Sequence, residues 1–121
     1  MRRSTMEQYL KTIHSLELES GLAHTKSLAE RLGVTQPSVS EFCRKLQGKG
    51  YISWEPYHGA TLTDKGERIA ERVEERYDIL LTFLLSLGVE EEEARTQACR
   101  MEHEISEESI FRLRGLMGKI D

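Results

Sequence analysis

The stretch from Leu28 to Ser40, LAERLGVTQPSVS, constrains the fold of this chain more than any other. Leu28, Ala29 and Leu32 recur at helical spacing in a short helix that begins at Thr25. Gly33 closes it, because glycine enters the left-handed conformation of a helix C-terminus without a Cβ penalty. Gly33-Val34-Thr35 then makes a tight turn. A second helix starts near Gln36-Pro37, where proline's missing N–H costs no hydrogen bond. Val39, Phe42, Cys43 and Leu46 form its apolar stripe, and Gly48 and Gly50 end it. The small Ala29 lets the two helices approach, with Val34 and Val39 expected to fill the wedge between them. Residues 25–47 therefore read as a helix-turn-helix pair.

The flanking segments complete the pattern. Met6, Tyr9, Leu10, Ile13 and Leu16 predict a helix over about 5–18, opened by a capping box of Ser4 and Glu7. After the pair, Tyr51–Glu55 is strand-prone, residues 56–59 have turn chemistry, and Ala60–Leu62 can return as a second strand. Trp54 is expected to pack this hairpin on the core. Thr63 or Asp64 caps a long helix with Ile69, Val73, Tyr77, Leu80 and Leu84 on one side, which stops at Gly88. A fifth helix runs from the Glu90–Glu93 cluster to about Glu104. Ser106 caps a sixth, with Ile110, Leu113, Leu116 and Met117 apolar. The fold class is mainly α: a winged helix-turn-helix domain with a small β-hairpin wing over 1–66, then a helical domain over 67–121.

In such a pair the second helix enters the major groove of DNA with its first residues at the base edges. That nominates Thr35, Gln36, Pro37, Ser38, Ser40 and Glu41. Glutamine can read adenine, proline can touch a thymine methyl, and hydroxyls can contact base or phosphate. Lys26, Arg44, Lys45 and Lys49 are phosphate candidates, and Tyr57 and His58 at the wing tip can meet backbone or minor groove. The net charge of −4 is unevenly spread. Residues 1–66 carry nine Lys and Arg against seven Asp and Glu, whereas 67–121 carry eight against fourteen. DNA contact needs local positive charge, not a basic total. A winged helix used only to dock proteins is the rival reading.

Other classes find little support. No apolar run approaches the roughly 20 residues of a membrane span, and no signal-peptide core is seen, so a cytoplasmic, membrane-free protein is expected. The two cysteines, Cys43 and Cys99, are too few to staple a fold. No glycine-rich phosphate loop or Ser-His-Asp order suggests an enzyme, and no small organic substrate is expected. A Cys99–His103 nucleophile would lack an evident oxyanion hole. His14 and His24 lack ligand-like neighbours in the sequence and read as surface or boundary residues.

The segment Cys99-Arg100-Met101-Glu102-His103 places Cys99, Glu102 and His103 at i, i+3 and i+4, on one helical face. Thiolate, carboxylate and imidazole together can hold a transition metal. On spacing alone, a core cysteine beside a polar pair explains the same residues. Here the sequence resembles the diphtheria toxin repressor and manganese transport regulator family. The matching stretches are Met6–Ile13, Ile69-Ala70 to Leu84-Leu85, and Ala98–Ser106. The resemblance spans about 4–118 and is to the shorter members, without an SH3-like domain. It implies a homodimer built on helices 5 and 6, a palindromic operator, and Fe(II) or Mn(II) as corepressor, with Co(II) or Zn(II) as further candidates. It also implies Cys99, Glu102, His103 and Gln8 as ligands. The family's two-metal arrangement is incomplete here, since Lys11, Tyr77, Leu81 and Arg95 stand at other ligand positions. One metal with altered preference, a vestigial site with constitutive DNA binding, and a redox-responsive Cys99 all remain open at this point.

Overall fold

The computed structural model describes residues 2–120; Met1 and Asp121 lie outside them. The chain divides between Glu71 and Arg72 into two compact units. The division falls five residues beyond the boundary expected from sequence. The reason is that the opening turns of the fourth helix pack Ile69 and Ala70 on the first core. Among the described residues, no helix is long and apolar enough to cross a membrane.

The first unit runs α1 (Arg3–Ser20), α2 (Thr25–Leu32), α3 (Gln36–Gly48), β1 (Ile52–Glu55), β2 (Gly59–Leu62) and the start of α4 (Asp64–Ser86). Strands β1 and β2 pair antiparallel, with Ile52 opposite Leu62 and Trp54 opposite Ala60. Ala23, between α1 and α2, adds a bridge to Ala60 through two 2.9 Å backbone hydrogen bonds. Leu10, Ile13, Leu28, Val39, Cys43 and Leu46 are fully buried at the centre. Burying each of the larger aliphatic chains contributes about 1.5–3 kcal/mol. Tyr9 stacks on Phe42 with ring centroids 4.2 Å apart, joining α1 to α3. Trp54 is buried in the same core, as its place in the hairpin suggests.

Two local expectations are corrected. The capping box does not form: α1 starts earlier, at Arg3, and its N-cap Arg2 makes no side-chain cap bond. Glu7 is instead buried and accepts from Arg3 Nε at 3.2 Å. Val34 does not fill the inter-helix wedge. It sits in the turn behind left-handed Gly33, 40% exposed, while Val39 alone takes the buried position.

The second unit holds the remainder of α4, then α5 (Glu91–Met101) and α6 (Glu107–Ile120). Its core is Leu80, Leu84, Ala94, Ala98 and Ile110, with Tyr77, Leu81, Val89, Met101, Ile105 and Leu113 packed around it. Glu90 caps α5 by accepting from the Glu92 and Glu93 amides, and those bonds hold its carboxyl below the usual carboxylate range. Helix α5 ends at Met101, three residues before the expected Glu104, because the chain turns at 102–105 with the Glu104 and Ile105 amides both donating to Met101 O. Ser106 caps α6 through the Ser109 amide. Arg76 is buried and reaches Glu107 at 2.9 Å.

Candidate functional site

The first unit presents a surface organised around α3. Gln36, Pro37, Ser38, Glu41, Arg44, Lys45 and Lys49 are exposed, and Ser40 is half-buried. Thr35 has a second duty: its hydroxyl accepts from the Ser38 amide at 3.2 Å and donates to Ser38 Oγ at 2.9 Å. It caps α3 and fixes the first turn, so its own reach beyond the helix is limited. Glu41 and Lys45 lie 4.0 Å apart on the surface, a weak pair.

An open cleft of about 620 Å³ separates α3 from the wing. It gathers Lys26, Gln36, Ser40, Arg44, Tyr57 and His58 of the nominated residues, with His24, Thr25, Ser27, Trp54 and Pro56 completing the wall. Arg44 lies over the Trp54 ring, 5.7 Å from its centroid, which orients the guanidinium along the cleft. Lys45 and Lys49 stand outside this cleft. The wing tip is held in a defined shape. Tyr57 adopts a left-handed φ of 70° and is fully exposed. Gly59, at φ 138°, has no room for a Cβ, which would fall 2.3 Å from Ala23 O. His24 Nδ1 lies 3.1 Å from His58 O; since a carbonyl only accepts, that nitrogen carries the proton. Sequence reasoning set His24 aside, for its partner is 34 residues away and no local spacing signals it.

In the second unit, Cys99 occupies the last turn of α5 and is half-buried. Glu102 is the C-cap and is fully buried. His103 Nε2 lies 3.4 Å from Glu102 Oε1, with its side chain 13% exposed. Thiol, carboxylate and imidazole thus occur within five residues where the helix ends. A carboxylate removed from water is costly without cationic or hydrogen-bonding compensation. A thiol, a carboxylate and an imidazole are each donors that a divalent transition metal accepts. Gln8 is carried by α1 of the first unit, where its backbone carbonyl accepts from the Thr12 hydroxyl. Tyr77 and Leu81 pack in the second unit's apolar core, and Arg95 is exposed and paired with Glu91 at 2.6 Å. Those three positions serve packing and surface pairing. His14, set aside by sequence reasoning, stands beside Glu67 and Glu71. The signal was available in the Glu67/Glu71 spacing of one helical turn, but not the proximity of α1.

Comparison with known proteins gives a consistent result. Residues 1–60 match the family described as iron dependent repressor, N-terminal DNA binding domain, and residues 63–121 match its metal binding and dimerisation domain. The transcriptional regulator MntR of Salmonella typhimurium is 40% identical over 109 residues, covering 90% of this chain and 69% of that protein. The HTH-type transcriptional regulator MntR of Bacillus subtilis is 36% identical over 117 residues, covering 97% and 82%. A solved manganese-dependent transcriptional repressor in complex with manganese superposes with a TM-score of 0.84 at 34% identity. That match covers 93% of this chain, which spans about half the length of the solved one, 52%.

Proposed function

Since this chain belongs to the iron-dependent repressor family through both its DNA-binding and its metal-binding and dimerisation parts, we propose that it is a metal-responsive repressor acting as a homodimer on a palindromic operator. The observation that carries the reading is the cleft between α3 and the wing, lined by Lys26, Arg44 and polar side chains. With α3 in the major groove, Gln36 and Ser40 face base edges, Lys26 and Arg44 meet phosphates, and Tyr57 and His58 meet the backbone from the wing. Two copies related by a two-fold axis read two half-sites, which is why a palindrome is expected.

Cys99, Glu102 and His103 hold the metal in this proposal. The ion would supply positive charge to the buried Glu102 and join three side chains at the end of α5. A thiol beside an imidazole and one carboxylate takes Fe(II) readily, with Mn(II), the metal in the relatives' names, as the alternative. The second unit also exposes Leu85, Leu87, Phe111 and Leu116, and such apolar surface suits burial against a second copy. Regulation of DNA binding, rather than catalysis, is the role these groups support.

The test is selection of bound sequences from a random duplex pool, oxygen-free and reducing, with chelator, Mn(II), Fe(II), Co(II) or Zn(II) in parallel. Enrichment of a palindrome in metal arms only is the expected outcome, and the best metal ranks the site. The same palindrome in every arm would remove metal response from the proposal. No enrichment in any arm would remove DNA binding and favour a protein-docking winged helix.

A further inference from the structure

A second group of metal-ligating side chains lies wholly inside the first unit, apart in sequence from Cys99, Glu102 and His103. His14 on α1 and Glu67 and Glu71 on α4 each offer one ligand atom, and the three atoms lie within 4.8 Å of one another. We propose that these residues form a divalent transition-metal site belonging to the DNA-binding unit itself, taking Mn(II) or Zn(II).

The geometry comes from two helices. Glu67 and Glu71 are one turn apart on α4, so their carboxylates share a face. His14 supplies the imidazole from α1. Metal bonds of about 2.0–2.2 Å place tetrahedral ligand atoms roughly 3.4 Å apart. Closing from the observed spacing needs only rotamer adjustment, and both glutamates are exposed and have that freedom. Two carboxylates held this close repel each other unless a cation offsets them. One imidazole and two carboxylates make a mixed nitrogen–oxygen set, suited to Mn(II) or Zn(II) and with open positions for water.

The consequence is mechanical. Helix α4 follows the wing strand β2 after one residue, Thr63, whose hydroxyl accepts from Gly66 N at 3.2 Å. Binding fastens the first turns of α4, and through them the base of the wing, to α1. The site depends neither on Cys99 nor on DNA binding, so it stands or falls separately from the proposed function.

The experiment is equilibrium dialysis of the full-length variant Cys99→Ala/Glu102→Gln against Mn(II) and, in parallel, Zn(II). One bound ion per chain is expected with at least one metal. Adding Glu67→Gln and Glu71→Gln should weaken it on the order of tenfold or more. No bound ion with either metal, or an ion indifferent to the glutamate changes, would overturn the proposal. If the buried Glu102 substitution prevents folding, the intact chain is titrated with Mn(II) beyond two equivalents, enough to fill both sites. Paramagnetic broadening of the backbone amides at His14, Glu67 and Glu71 is then expected. Broadening confined to the surroundings of Cys99–His103 would overturn it.

Discussion

The two cysteines report how differently the two units are built. In the first, Cys43 is fully buried on α3, and burial pushes its thiol up to about 12. In the second, Cys99 is half-buried on the last turn of α5, beside a carboxylate and an imidazole in the sequence. The first unit uses its cysteine as a small apolar filler, and the second holds its own where a ligand or an oxidant can reach it. Large exposed apolar side chains occur in both units. In the first unit Leu18 on α1 and Tyr57 at the wing tip are exposed, the latter where a partner surface of DNA is proposed, and in the second Leu87, in the turn after α4, and Phe111 on α6 are 63% and 72% exposed. The first unit's cysteine is spent on its own core, and the second's lies where a metal is proposed.

The sharpest way to break this contrast is at the wing. Gly59→Val puts a Cβ against Ala23 O and forces a β-branched residue to φ 138°. The expected cost is about 3 kcal/mol, measured by urea denaturation; an unchanged midpoint would contradict the Ala23–Ala60 bridge. In the second unit, Phe111→Asp should leave folding intact and weaken self-association by about 1.4 kcal/mol or more, tenfold in the dimer constant. Sedimentation equilibrium reads this, and an unaltered constant would take Phe111 out of the interface.

The cysteine comparison can be sharpened with pH. A thiol raised in the folded state binds its proton more tightly there than in the unfolded chain. Cys43 therefore contributes stability that is complete below pH 9 and is lost as pH rises from 9 to about 12. Stability should fall across that window, and Cys43→Ala should flatten the fall. In the native protein at neutral pH, a thiol reagent should label Cys99 before Cys43, and mass mapping of the first adduct on Cys43 would reverse the assignment. The smallest effect is expected from Glu41→Gln, which removes only the exposed 4.0 Å pair with Lys45. Thermal stability should move by less than about 0.5 kcal/mol.

What could be read in the sequence follows the same line. The helix-turn-helix was legible because Gly33, Thr35 and Pro37 act within a few residues of themselves, and the structure keeps each in its expected place. The long helix and the cap at Ser106 were legible for the same reason. Ser4 and Glu7 failed as a cap because Glu7 is buried and paired with Arg3, a tertiary demand that local spacing does not encode. Cys99, Glu102 and His103 were nominated from the spacing of one helical turn, but α5 ends at Met101, so Glu102 and His103 lie beyond the helix that was to align them. His24 and His14 were missed because His58 O and the Glu67/Glu71 pair reach them from distant segments.

The most direct test of the central claim is the affinity of this chain for its selected palindrome, with chelator and with the best metal, for the wild type and Cys99→Ala. Fluorescence anisotropy at fixed salt is the readout, since phosphate contacts make affinity salt-dependent. The wild type should bind roughly tenfold to a hundredfold more tightly with metal, and Cys99→Ala should lose most of that gain while keeping its affinity in chelator. Equal wild-type affinity in both conditions would contradict the account, because the second unit would then not govern the first.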